Sequence, residues 1–173
     1  MSTLLAVVCG FLLDLALGDP RWLPHPVVAM GRAITWAEGR LRRAFPQTPK
    51  GERSAGRVLA SALPASSLLI TWTLLALLGA IHPVARFLGE TWLAYQLLAT
   101  CELRRQSLAV ARALAEGGLP AARRAVGMIV GRDTEALDEA GIIRAAVETV
   151  AENASDGVIA PLFYLMIGGA PLG

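Results

Sequence analysis

Cysteine, charge and aromatic residues are scarce in this 173-residue sequence: two cysteines, 17% charged residues and 6% aromatics. Each shortage removes a class of function. Cys9 and Cys101 are far apart, and neither belongs to a CxxC or Cys/His cluster. That argues against a disulfide framework or a zinc-thiolate centre, and both read as small buried hydrophobes. The net charge is only +2, and the basic residues are not interleaved with an aromatic platform, so nucleic acid is not an expected partner. No Walker A sequence, GxGxxG or GxSxG is present, so any nucleotide site is of another kind. The opening MSTLLAVVCGFLLDLALGD has no basic leader and carries Asp14 inside its apolar run. A retained membrane segment is expected there, not a cleaved signal peptide.

What is abundant is apolar residue, 54% of the chain, with a mean hydropathy of +0.51. It is gathered in blocks. Leu4–Leu17 and Leu59–Ile81 contain a single charge, Asp14, whereas residues 31–57 and 101–157 hold most of the others. Such blocks predict membrane segments separated by polar loops. The expected fold class is all-α: a polytopic integral membrane protein with transmembrane helices and amphipathic cytoplasmic helices. It forms a single membrane domain over 1–173, with membrane segments at about 4–18, 59–81 and 87–101 and the start of another at 158–173.

Charge placement constrains the topology. Residues 31–57 carry seven Lys or Arg, and the stretch after Cys101 carries seven more as far as Arg144. Basic loops tend to stay cytoplasmic, and both can do so only if an even number of crossings separates them. A helical hairpin of Leu59–Ile81 and Phe87–Cys101, turning near His82 and Pro83, satisfies that and leaves 31–57 and 102–157 cytoplasmic. Phe45–Gly56 reads as a flexible loop, and Pro64 as an interruption of the 59–81 segment. Helices over 102–130 should break at Gly117–Pro120. A helix from about Glu135 to Ser155 should be capped by Asp133 or Thr134 and exit at Gly157.

The last of these helices carries a line of acids. In RAAVETVAENASDG, every fourth residue gives Arg144, Glu148, Glu152 and Asp156. Positions four apart drift by about 40°, so like charges stand side by side at roughly 0.2–0.5 kcal/mol per pair. A solvated face tolerates that, with Arg144 pairing to Glu148. Glu148, Glu152, Asn153 and Asp156, with Thr149, also form an arc of hard oxygen donors of the kind Mg²⁺ takes beside substrate phosphates. Ile143, Ala146, Val147, Val150 and Ala154 should form the opposite, apolar face. Upstream, Asp14 sits where an ionisable residue is functional by default, and Asp19 and His25 lie in a proline-rich turn, GDPRWLPHP. In GRDT, Arg132 offers a phosphate-binding cation beside Asp133, or the pair simply starts a helix.

Three blocks together carry a family resemblance: DLALGDPRWLPHPVVAMG at Asp14–Gly31, VGRDTEALDEAGIIRAAVETVAENASDGVIAPLFY at Val130–Tyr164, and the weaker LRRQSL at Leu103–Leu108. They resemble the adenosylcobinamide-phosphate synthases, the CbiB/CobD membrane enzymes of cobalamin biosynthesis. Family members are longer, so the resemblance implies an N-terminal portion of such a protein. It further implies a multi-pass inner-membrane ligase, using ATP as co-substrate and Mg²⁺, that joins the carboxylate of adenosylcobyric acid to the amine of aminopropanol phosphate as an amide. The implied partners are this corrinoid, aminopropanol phosphate, membrane lipid and other membrane proteins of the pathway. For that chemistry Asp14, Asp19, His25 and Asp133 are the candidate catalytic residues. Arg132, Arg104 and Arg105 are the candidate phosphate binders, and Glu148, Glu152, Asn153 and Asp156 the candidate metal ligands. Two other classes stay open: a membrane sensor of the β-lactamase-induction type, similar in architecture, and a small-solute transporter using Asp14 and Glu90 as intramembrane carboxylates. The cytoplasmic acidic cluster favours the ligase, because a transporter has no need of it.

Overall fold

A computed structural model describes every residue except Met1, Arg21 and Arg132. Its helices, in chain order, are α1 (Thr3–Leu17), α2 (Pro26–Ala44), α3 (Pro49–Ile81), α4 (Pro83–Leu97), α5 (Thr100–Gly127), α6 (Glu139–Ala154) and α7 (Ala160–Gly168). A π-helical turn, Ser155–Ile159, joins the last two, and there is no strand among the described residues. Three helices start at a capping residue followed by proline. Proline disfavours a helical residue before it and fits the first helical position itself. The preceding side chain then caps the first turn: His25 Nδ1 accepts from Val27 N–H, Thr48 Oγ1 from Gly51 N–H and His82 Nδ1 from Val84 N–H, each at 3.2 Å.

Small residues let α1 and α4 run side by side in the same direction. A Cβ on Gly10 would lie 2.7 Å from Ala94 Cβ and 2.9 Å from the Thr91 carbonyl oxygen. α3 turns back at His82 to run antiparallel to α4, with Gly79 against Arg86 and Gly89 against Leu78. α7 closes the group, and Val7, Leu75, Ala94, Leu98 and Leu165 share one core. A second core forms where α5 folds on itself at Gly118, whose φ is 67°. The two arms of α5 and one face of α6 enclose Val110, Ala122, Val126, Ile142 and Ala145.

Among the described residues one helix, α3, is long and apolar enough to cross a membrane. Its 33 residues extend about 50 Å against a hydrocarbon core of roughly 30 Å. Leu69, Ile70, Trp72 and Leu77 on it are each at least 60% exposed, which water tolerates poorly over a contiguous patch.

Several local expectations need correction. The expected loop over Phe45–Gly56 shrinks to the four residues 45–48, because Thr48 caps α3 and Pro49 starts it, and α3 continues through the exposed Pro64. The expected segment 87–101 is instead α4, Pro83–Leu97, with Cys101 belonging to α5. α6 begins at Glu139 under an Asp138 cap, four residues later than expected, and passes through Gly157 without an exit. Its buried stripe is also rotated. Ile142 and Ala145 are buried, whereas Ile143 and Val147 are exposed, because α5 receives the i, i+3, i+7 line that starts at Ile142. That line continues to Thr149 and ends on the polar Asn153.

Candidate functional site

Gly18 ends α1, Leu98 and Ala99 separate α4 from α5, and the π turn lies against them. Polar side chains knit this junction. Asp14 has no solvent exposure, and its Oδ2 accepts from Thr100 N–H at 2.9 Å, so a residue of α1 caps the N-terminus of α5. Tyr95 Oη donates to the Gly18 carbonyl at 2.6 Å and Gln96 Nε2 to the Pro24 carbonyl at 3.0 Å, holding the Gly18–His25 turn to α4. From the other side, the Gly157 carbonyl accepts from Ala99 N–H at 3.1 Å. π-helical turns occur frequently at functional sites, and this one brings Asp156 to the junction.

Two clefts flank the contact between Ala99 and Gly157. The larger, about 590 Å³, is lined by Asp19, His25, Gln96 and Asp156 beside the apolar Leu23 and Val28. The smaller, about 310 Å³, is lined by Glu102, Gln106, Ser107, Thr149, Asn153 and Met128. In the larger cleft His25 Nε2 lies 3.9 Å from Asp19 Oδ1. Burial pushes the Asp19 carboxyl above its ordinary range. His25 opposes that shift, Asp14 and Glu102 add to it, and Arg105 opposes it. In the smaller cleft Glu102 Oε1 accepts from Gln106 Nε2 at 2.6 Å and from Arg105 Nη2 at 3.0 Å.

The raised Asp19 pKa has a thermodynamic consequence. A carboxyl that holds its proton more tightly when folded stabilises the fold below the ordinary value of 3.8, and that contribution is lost as pH rises through the folded value. Asp19→Asn should therefore be at least as stable as wild type at neutral pH. It should also flatten the dependence of melting temperature on pH just above 3.8. Thermal melts across that range check both, and a variant that melts lower than wild type at neutral pH would contradict the sign.

Of the residues expected from sequence, the fold brings Asp19, His25 and Asp156 to one cleft and Asn153 to the other, with Arg105 beside it on Glu102. It does not bring the rest. Asp14 stands behind the wall as a helix cap. Asp133 Oδ1 accepts from Glu135 N–H at 3.0 Å in a tight turn and lines neither cleft. Arg104, Glu148 and Glu152 are exposed and line neither, and Arg132 lies outside the described residues. Among the described residues no group of three or more His, Cys, Asp or Glu is placed to hold a metal ion. Along the line of acids, Asp156 lines one cleft, Asn153 the other, and Glu148 and Glu152 neither. Sequence reasoning passed over Gln96, Glu102 and Gln106. The available signal was the i, i+4 spacing of Glu102 and Gln106 around the LRRQSL block.

Comparison with known proteins gives a consistent family. The family model described as CobD/Cbib protein matches residues 7–173. A cobalamin biosynthesis protein CobD of Geobacter metallireducens is 48% identical over 166 residues, which is 96% of this chain and 51% of that protein. A protein of the same description from Halalkalibacterium halodurans is 47% identical over 171 residues, 97% of this chain and 51% of that one. The cobalamin biosynthesis protein CbiB of Salmonella typhi is 43% identical over 170 residues, 98% of this chain and 53% of that protein. The chain therefore spans about half the length of the curated relatives it matches. No solved structure matches it.

Proposed function

Since the chain belongs to the CobD/CbiB family, we propose that it forms part of a membrane ligase of cobalamin biosynthesis, one that attaches aminopropanol phosphate to adenosylcobyric acid through an amide. The observation that carries this reading is the larger cleft. Asp19 and His25 come from the first family block and Asp156 from the second, more than a hundred residues later, and they line one cavity. A carboxylate is a poor acyl donor, because oxide is a poor leaving group. Transfer of a phosphoryl or adenylyl group from ATP to the corrinoid carboxylate supplies a better one, and the amine then displaces it.

The same proposal places the protein in the inner membrane, with α3 as a crossing and the exposed apolar faces of α1 and α7 against lipid or further helices. Arg104, Arg105 and Arg132 are its proposed phosphate-binding cations. Mg²⁺ enters as the ion that accompanies ATP. Because Glu148, Glu152, Asn153 and Asp156 do not converge, no step is assigned to an ion held by them. The transporter reading is weakened by Asp14, whose Oδ2 caps α5. The test is complementation of a strain blocked at aminopropanol attachment by the complete gene, together with ATP-dependent amide formation in its membranes. Growth without cobinamide and formation of the amide are expected; failure of both with well-expressed protein would refute the ligase.

A further inference from the structure

The larger cleft has a chemical character that reaches past the general reaction. We propose that it is the amine subsite of the ligase: it binds the primary ammonium of the nucleophile, Asp19 takes the proton that frees the amine for attack, and His25 positions Asp19. This rests on the ligase reading above and adds to it a place and a set of roles.

Charge is the first argument. Among the described residues the cleft is lined by two carboxylates, Asp19 and Asp156, and by no Lys or Arg. α1 and α4 both end there, at Leu17 and Leu97, and the carbonyl end of a helix favours a cation. The N-termini of α2 and α5 lie alongside, where His25 Nδ1 takes the Val27 N–H and Asp14 Oδ2 the Thr100 N–H. A cation carrying N–H donors finds two carboxylates.

The orientation of the histidine is the second argument. Nδ1 of His25 accepts from Val27 N–H at 3.2 Å, which leaves Nε2 as the ring atom near Asp19, 3.9 Å from its Oδ1. Asp19 is the carboxylate placed to take a proton from an amine. Its side chain is 28% exposed, whereas Asp14, its nearest chemical equivalent, is wholly buried. Among the described residues the charged groups that act on Asp19 are His25, Asp14, Glu102 and Arg105, and Asp156 shares its cleft. Burial raises the Asp19 carboxyl, which brings a general base nearer to working pH. Leu23, Val27 and Val28 supply an apolar wall suited to a short alkyl chain.

The proposed step balances. The ammonium gives one proton to the Asp19 carboxylate, and the freed lone pair forms a C–N bond with the acyl carbon of the ATP-activated corrinoid. The C–O bond to the phosphate or adenylate breaks with its electron pair, and the second proton of the nitrogen leaves with that oxygen.

The test compares two nucleophiles on the full-length enzyme in its membrane, with ATP, Mg²⁺ and adenosylcobyric acid. One is aminopropanol phosphate and the other a fluorinated analogue whose ammonium is much more acidic and which is therefore largely free amine at neutral pH. The readout is the ratio of kcat/KM for the analogue to kcat/KM for the parent amine, which does not depend on the fraction of enzyme that is folded. In Asp19→Asn the ratio should rise about 100-fold or more, the usual range for loss of a general base. His25→Gln should raise it by less. If Asp19→Asn accumulates poorly, Asp19→Ser reads the same ratio. An unchanged ratio in the Asp19 variants overturns the proposal, as does a change confined to the Mg²⁺ concentration giving half-maximal rate, which would make the cleft a metal site. A wild type that makes no amide with either amine refutes the ligase reading itself, so the two failures are distinct.

Discussion

Gly10→Leu is expected to abolish accumulation of folded protein, and Gly10→Ala to cost roughly 1–3 kcal/mol or more, the range for overpacking a tight contact. The atoms met by a Cβ at this position explain the severity. They are Ala94 Cβ at 2.7 Å and two backbone atoms of α4, the Thr91 carbonyl oxygen and the Tyr95 nitrogen, both at 2.9 Å. A flexible side chain could move aside; helix backbone cannot. α1 must therefore separate from α4, and it takes with it Asp14 and the turn that holds Asp19 against Gln96. Gly39 is the control. A Cβ there meets nothing within 4 Å on α2, so Gly39→Ala should be neutral or gain up to about 1 kcal/mol from helix propensity. Size-exclusion profiles and thermal melts of the detergent-solubilised full-length protein check the pair. Equal stability of Gly10→Ala and Gly39→Ala would refute the close contact.

Asp14→Ala should lower stability by about 2 kcal/mol or more, although Asp14 touches neither cleft. The substitution removes the cap on α5, worth about 0.5–2 kcal/mol in helices generally, and the upper end applies because the Thr100 N–H left without its acceptor is partly buried, where an unmet donor costs about 1–3 kcal/mol. Asp14→Asn keeps a carbonyl oxygen for that N–H and should fall between the two. Activity should fall with it, because α5 carries Glu102, Arg105 and Gln106 past the smaller cleft. Thermal melts establish the order of the three proteins, and hydrogen exchange at the Thr100 amide reports the cap directly. An Asp14→Ala protein with wild-type stability and protection at Thr100 would show that the cap carries no weight.

Much of the architecture was legible because it is governed by neighbours in the chain. The turn at His82 and Pro83 needs only a capping side chain before a proline, and the break in α5 needs only a glycine, here Gly118, able to take positive φ. The same rule held unnoticed at Thr48 and Pro49, where composition suggested a loop; the cap was present, but the run of polar residues masked it. The face of α6 was misread for a different reason. Ile142 and Ile143 are equally apolar, so the helical wheel alone does not say which of them α5 will bury.

By itself, then, the sequence determined the all-helical class, the family and the apolar stretch within α3, since composition and spacing are properties of contiguous residues. Only the tertiary structure decided which acids share a site. Asp14, Asp19 and Asp156 look alike as isolated carboxylates. Their fates diverge because α1 and α4 pack closely enough for Asp14 to reach the end of α5, and because a π turn against Ala99 presents Asp156 to the cleft that Asp19 lines. Those distances are set by packing between helices far apart in the chain, which no local pattern encodes.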